Sequence, residues 1–224
     1  MSWSWAAEGA TGRRHRGLAR GGRSDKTAPL WHGTRNRTTR LIHWARVGDL
    51  SRVRETLSRG ADVSVRDTYG RTALWWASRG GRLAVVRELL GCGADADACS
   101  NALHVASEGG HTDVVMELAA RGADVNARDN GGETPLTYAC YHDNTATVAE
   151  LLRLGADVNA VGNGSWSALV HAAYGGNVDA VRMLLAAPGV NINFSDASGN
   201  TTLSIARSYG RGAVVALLEA AGAR

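Results

Sequence analysis

The chain has 224 residues, a formal net charge of +4 and 44% hydrophobic residues, enough for one medium domain or a one-dimensional array of repeats. No run approaches the ~18 consecutive apolar residues of a membrane-spanning helix, which argues against a membrane protein. Its three cysteines, Cys92, Cys99 and Cys140, are too few and too scattered for a disulfide framework, and their odd number argues for a reducing, intracellular setting.

The charge is unevenly spread. Residues 1–40 hold eight Arg and Lys26 against Glu8 and Asp25, a net +7, whereas residues 41–224 hold 16 Arg and 19 acids, a net −3. The opening stretch, "MSWSWAAEGATGRRHRGLARGGRSDKTAPLWHGTRNRTTR", is rich in Gly, Arg and Ser and has no helical or strand-like apolar period. It also lacks the apolar core of a signal peptide. Residues 1–37 therefore read as a basic, disordered arm. The cluster "RRHRGLARGGR" also suits nuclear import or contact with nucleic acid, and the acid-poor start suits an organelle transit peptide.

From residue 38 the chain repeats itself. A leucine opens each predicted first helix at Leu41, Leu74, Leu103, Leu136, Leu169 and Leu203, with spacings of 33, 29, 33, 33 and 34. A glycine closes each predicted second helix at Gly60, Gly93, Gly122, Gly155, Gly189 and Gly222, with spacings of 33, 29, 33, 34 and 33. Two independent markers give one period and one contraction. The units run about 38–66, 67–99, 100–128, 129–161, 162–194 and 195–224.

Each unit has a local physical logic. Thr72, Thr134, Ser167 and Thr201 stand two residues before the leucine, where a hydroxyl can cap free amides at a helix start. Pro135 falls at the first helical position, which needs no N–H. Small residues follow the leucine by three and four places, as in Ala77 and Ser78 or Ala172 and Ala173, and admit a close neighbour. The second helix carries apolar pairs such as Val85, Val86, Leu89 and Leu90, then stops at a glycine suited to a left-handed C-terminal residue.

The contraction lies in "ADADACSNALHVA" (94–106), which lacks four residues present in "ADVSVRDTYGRTALWWA" (61–77) and "ADVNARDNGGETPLTYA" (123–139). The missing four are the tip of the connection, while Gly93 and the helix start at Leu103 are kept. The expectation is an unbroken helical stack with a notch between the connection bearing Tyr69 and Arg71 and the one bearing Glu133.

Units such as "RTALWWASRGGRLAVVRELLGCGAD", "NALHVASEGGHTDVVMELAARGAD" and "ETPLTYACYHDNTATVAELLRLGAD" resemble the ankyrin repeat family. The resemblance covers about residues 38–224. It implies an all-α solenoid of helix pairs joined by β-turn fingers and stacked so that each repeat buries its faces against its neighbours, with a truncated finger in the third. The first unit departs from the pattern: it has no finger, and Trp44 stands where a small residue is usual. The last ends at "LLEAAGAR" without a polar capping helix.

Chemistry elsewhere is sparse. Cys92, Cys99 and His104 match no zinc-ligand spacing, and the resemblance places His104 where it hydrogen-bonds neighbouring fingers. His111 with Asp113, and His142 with Asp143, fall at helix–helix turns and accompany no nucleophile or phosphate loop. "GNGS" at 162–165 reads as a turn. No cofactor, metal or enzymatic activity is expected.

The resemblance places partner contacts at the finger tips and the exposed ends of the first helices. The partner-binding residues it implies are Tyr69, Arg71, Arg79, Glu133, Tyr141, His142, Trp166, Tyr174 and Tyr209, a set with the aromatic and arginine content of interface hot spots. Tyr141 and Tyr174, in successive repeats, are expected to form a ladder beside Trp166, whereas Trp75 and Trp76 read as packing residues. Asn126 and Asn159 stand in a Leu…Asp-Val-Asn context resembling ankyrin substrates of asparaginyl hydroxylases, a position that turn geometry alone also favours. The sequence thus reads as a monomeric, non-enzymatic module that binds another protein in the cytoplasm. The alternative is a nuclear regulator whose arm touches nucleic acid while the repeats bind protein.

Overall fold

Hydroxyl side chains start the first helices. Thr72 accepts from the Trp75 amide at 3.2 Å, Ser167 from Val170 at 3.4 Å and Thr201 from Ser204 at 3.2 Å. Thr134 and Thr137 cap one another reciprocally, with Pro135 as the next residue. These caps satisfy amides that have no partner inside the helix.

The computed structural model describes residues 34–224. Among them are twelve helices in six consecutive pairs and no strand. The pairs are α1 (Thr34–Val47) with α2 (Leu50–Ser58), α3 (Ala73–Arg79) with α4 (Leu83–Gly91) and α5 (Ala96–Glu108) with α6 (Thr112–Ala120). Then follow α7 (Pro135–Tyr141) with α8 (Thr145–Arg153), α9 (Ala168–Gly175) with α10 (Val178–Ala186) and α11 (Thr202–Ser208) with α12 (Gly212–Ala220). Odd-numbered helices pack on one another in one row and even-numbered helices in a second, which makes a solenoid. The α1 helix begins at Thr34, inside the stretch read as arm.

The repeat-marking leucines form the spine of the core. Leu41, Leu74, Leu103, Leu136, Leu169 and Leu203 are each at most 4% exposed, and such a side chain contributes roughly 2 kcal/mol when fully buried. Ala77, Ser78, Ala106, Ser107, Ala139, Cys140, Ala172 and Ala173 are all at 0%, so the small side chains lie at the close approach between helices. Trp44 is half-buried against this core, and the neighbouring Ala45 takes the fully buried place.

Polar side chains then staple one repeat to the next. His111 Nε2 lies 3.0 Å from the Arg79 carbonyl, and Asn144 donates to the carbonyls of Ser107 and Glu108 at 2.8 and 2.9 Å. Asn177 donates to Cys140 at 2.7 Å and Arg211 to Tyr174 at 2.9 Å. Each reaches carbonyls at the end of the preceding first helix, which its own helix leaves unpaired.

The third unit continues the stack and interrupts the finger row as expected, and its first helix starts earlier than expected. No finger forms: the chain leaves Gly93 and enters α5 at Ala96, seven residues before Leu103, with the Asp95 carboxylate accepting from the Ala98 amide at 2.6 Å. The fingers at 67–71, 129–133 and 196–200 turn through Gly70, Gly132 and Gly199 at positive φ, and the shortened segment has lost that glycine. What remains, Ala-Asp-Ala-Cys-Ser-Asn, is compatible with helix. Cys99 therefore sits in a helix at 2% exposure, not in a turn.

Candidate partner-binding face

An aspartate organises the fingers. The Asp67 carboxylate accepts from the Tyr69 and Arg71 amides at 2.8 and 2.9 Å, and from the Trp76 indole N–H at 2.9 Å. Burial pushes its pKa up, but these donors outweigh burial and hold it below the usual carboxylate range. Asp129 repeats the arrangement, accepting from the Gly131 and Glu133 amides at 2.8 and 2.9 Å and from the Tyr138 hydroxyl at 2.7 Å. Burial and this bond to Asp129 push the Tyr138 phenol strongly up. In the last finger Asp196 accepts from Asn200, from Ser198 and from the side chain of Trp166 in the preceding finger.

The fifth unit breaks the series, because Gly162 stands where Asp67, Asp129 and Asp196 stand elsewhere. Glu133 of the preceding finger fills the vacated space: a Cβ on Gly162 would collide with its carboxylate. His171, nine residues after Gly162, is the counterpart of Trp76 and Tyr138. Its Nε2 lies 3.4 Å from Glu133 Oε2, but both ring nitrogens and that oxygen are buried with no hydrogen-bond partner among the described residues.

Around His171 the aromatic side chains form a continuous chain. Ring centroids are 5.7 Å apart for Tyr141–His171, 5.3 Å for His171–Trp166, 5.3 Å for Trp166–Tyr174 and 4.6 Å for Tyr174–Tyr209. Tyr141 and Tyr209 are about half exposed, at 51% and 53%. His142 is exposed at the end of α7, with its ring 5.0 Å from Tyr141. The expected ladder thus runs through His171 and Trp166; among the described residues no ring contact joins Tyr141 to Tyr174 directly. Sequence reading missed His171, whose only signal was the glycine nine residues before it.

The first and second units form a different patch. The Arg71 guanidinium carbon lies 4.5 Å from the Trp75 ring centroid, 5.3 Å from Trp76 and 5.1 Å from Tyr69. Arg79 lies 5.4 Å from Trp75, and Arg46 lies 4.9 Å from Trp76. The two tryptophans are half-buried, as packing residues should be, and also carry three arginines. Tyr69 is 77% exposed.

The remaining polar candidates have structural partners. His104 lies 3.0 and 3.1 Å from the Ala127 and Glu133 carbonyls through Nε2, tying α5 to the next finger. Asp143 (φ 58) takes the left-handed turn position that Gly110 and Gly176 hold in neighbouring units. Asn126 accepts from the Asp157 amide at 2.7 Å and donates to Gly155 at 3.3 Å. Asn159 does the same with Asn191 and Gly189, both at 2.8 Å. Among the described residues no three His, Cys, Asp or Glu side chains converge as metal ligands, and no helix is long and apolar enough to cross a membrane.

Stacked helix pairs with stapled fingers define a repeat-solenoid protein whose fingers and first helices share one decorated face. Residues 21–99 and 84–162 match the family described as ankyrin repeats (3 copies), and residues 151–206 match ankyrin repeats (many copies). The chain belongs to the ankyrin repeat family. It is 47% identical over 51 residues to human ankyrin repeat domain-containing protein 39, a match spanning 23% of this chain and 28% of that protein. An ankyrin repeat domain from Acinetobacter baumannii AYE superposes with a TM-score of 0.73 at 30% identity, covering 82% of this chain and 98% of that domain. Ankyrin repeats are protein–protein interaction modules, and proteins built from them are typically non-enzymatic scaffolds.

Proposed function

We propose that this chain is a non-enzymatic module that binds a partner protein on the face made by its fingers and first helices. Tyr141, Trp166, Tyr174 and Tyr209 are the anchors, and Tyr69, Arg71, Arg79, Glu133 and His142 flank them. The observation that carries this reading is the unbroken ring chain from Tyr141 to Tyr209. Its rings are braced by one another, so little side-chain freedom is lost on binding, and its two ends reach solvent. Affinity capture with the intact chain and with a Tyr141→Ala, Trp166→Ala, Tyr174→Ala variant tests it. The variant should lose the partners the intact chain recovers; recovery of the same proteins would refute the assignment.

A second reading rests on the net +7 of residues 1–40: a nuclear regulator whose arm adds nucleic-acid affinity. It requires binding that falls steeply with salt and that disappears when residues 1–37 are removed. Hydroxylation of Asn126 and Asn159, as the family resemblance implies, would fall on the staples between repeats. Peptide mass analysis of protein purified from its native cells tests it.

A further inference from the structure

The basic patch of the first and second units differs from the carboxylate-paired arginines of the even-numbered helices. In the outer helices Arg54 pairs with Glu88 and Arg87 with Glu117, both at 2.8 Å. Arg46 and Arg71 have no such carboxylate among the described residues, and Arg79 has only Glu108 at 3.8 Å. Asp67 lies nearby, but both its oxygens already accept bonds from Tyr69, Arg71 and Trp76.

We propose that Arg46, Arg71 and Arg79, held over Trp75 and Trp76, dock an acidic segment of the partner protein, a short run of Asp and Glu side chains. This deepens the protein-binding reading above and rests on it. A guanidinium stacked on a ring uses its face and leaves its in-plane N–H donors free for a carboxylate. The rings also fix the direction of those donors, so less side-chain freedom is lost when they bind.

The absent finger gives the segment room. Glu133 reaches across to Gly162 in the next finger, and Asn163 hydrogen-bonds back to Gly131 at 2.8 Å. The 67–71 finger has no hydrogen bond to another finger among the described residues, and Tyr69 is left 77% exposed. A polypeptide fits this site better than a nucleic-acid strand. The basic patch is small, residues 41–224 carry a net −3, and Asp129 and Glu133 stand beyond the gap. A longer phosphate backbone would run onto those carboxylates.

Fluorescence anisotropy on the full chain tests this, with a fluorescein-labelled peptide of eight Asp and Glu residues. A peptide of eight Asn and Gln residues and a single-stranded DNA oligonucleotide serve as comparisons. The acidic peptide should bind and the neutral one should not. Arg46→Gln with Arg71→Gln should weaken binding roughly fivefold or more, on the scale of two partly exposed charge pairs. Glu108→Gln, which frees Arg79, should tighten it. No binding overturns the proposal, as does binding indifferent to Arg46→Gln with Arg71→Gln, which would place it on the arginines of residues 1–40. DNA binding more tightly through the same two arginines also overturns it. Partner capture that depends on Trp166, without acidic-peptide binding, would sink this inference and leave the broader reading standing.

Discussion

Glu133 Oε2 lies 3.4 Å from His171 Nε2, and the same carboxylate fills the space that a side chain on Gly162 would need. One finger has lost its organising aspartate, and the glutamate of the preceding finger fills the space beside Gly162, its Oε2 accepting no hydrogen bond among the described residues. This coupling predicts that Gly162→Ala displaces the Glu133 carboxylate, the far end of a flexible side chain, and destabilises the protein by up to about 1 kcal/mol, the low end of overpacking. Glu133→Ala in that background should recover most of the loss. Urea unfolding of the four variants measures the coupling, and additive losses would show that the two residues are independent.

The asparagine staples give a second prediction. Asn159→Ala removes a donor to Gly189 and an acceptor from Asn191, which should cost about 1–3 kcal/mol at roughly one kcal/mol per bond. Hydrogen exchange should speed up at the Asn191 amide before the helices. Unchanged exchange there would mean that the staple contributes nothing.

Acid should loosen the second-unit finger. Asp67 has a lowered pKa in the folded protein because bonded amides and the Trp76 indole overcome the upward push of burial. Its contribution to stability is therefore fully present above the unfolded-state value, about 3.9, and is lost as pH falls through the lower folded value. The Trp76 indole proton resonance, followed by NMR, should hold steady at neutral pH and move only in that acid window. Asp67→Asn should abolish the transition.

Thiol chemistry tests the missing finger. Cys92 is exposed while Cys99 and Cys140 are buried. Burial, and then the Asp95 charge, push the Cys99 thiol up, and burial pushes Cys140 up. Since the thiolate is the reactive form, a thiol reagent near neutral pH should label Cys92 in the folded protein and the other two only after unfolding. Rapid labelling of Cys99 would return that segment to an exposed turn.

Buried hydroxyls offer a stabilising change. Ser78 and Ser107 are fully buried, and their Oγ atoms have no partner among the described residues. Their counterparts Cys140 and Ala173 carry no hydroxyl. Alanine at either position should raise stability by up to about 1 kcal/mol, since a buried hydroxyl without a partner carries a desolvation penalty. Thermal melting of each variant reads this out.

Much of the fold was legible because it is set by contacts within a unit or between adjacent units. The leucine and glycine periods, the Thr72, Thr134, Ser167 and Thr201 caps and the small residues after each leucine depend on local geometry and are kept in the structure, although Leu41 and Leu103 lie inside α1 and α5 rather than at their starts. The altered start of α5 was harder to read. A turn and a helix compete for Ala96–Asn101, and deciding between them required seeing that the shortened segment keeps no left-handed glycine.

What the sequence determined by itself is the register of the stack: the period of the helix pairs, which residues form its spine and which unit has the shortened connection. Only the tertiary structure decided how the face is wired. Glu133 and His171 are 38 positions apart and meet because Gly162 leaves a space between two fingers. Arg46, Arg71 and Arg79 converge on two tryptophans because stacking brings α1 beside α3. Such relationships depend on which side chains meet across repeats, and a period of 33 says where repeats lie but not what passes between them.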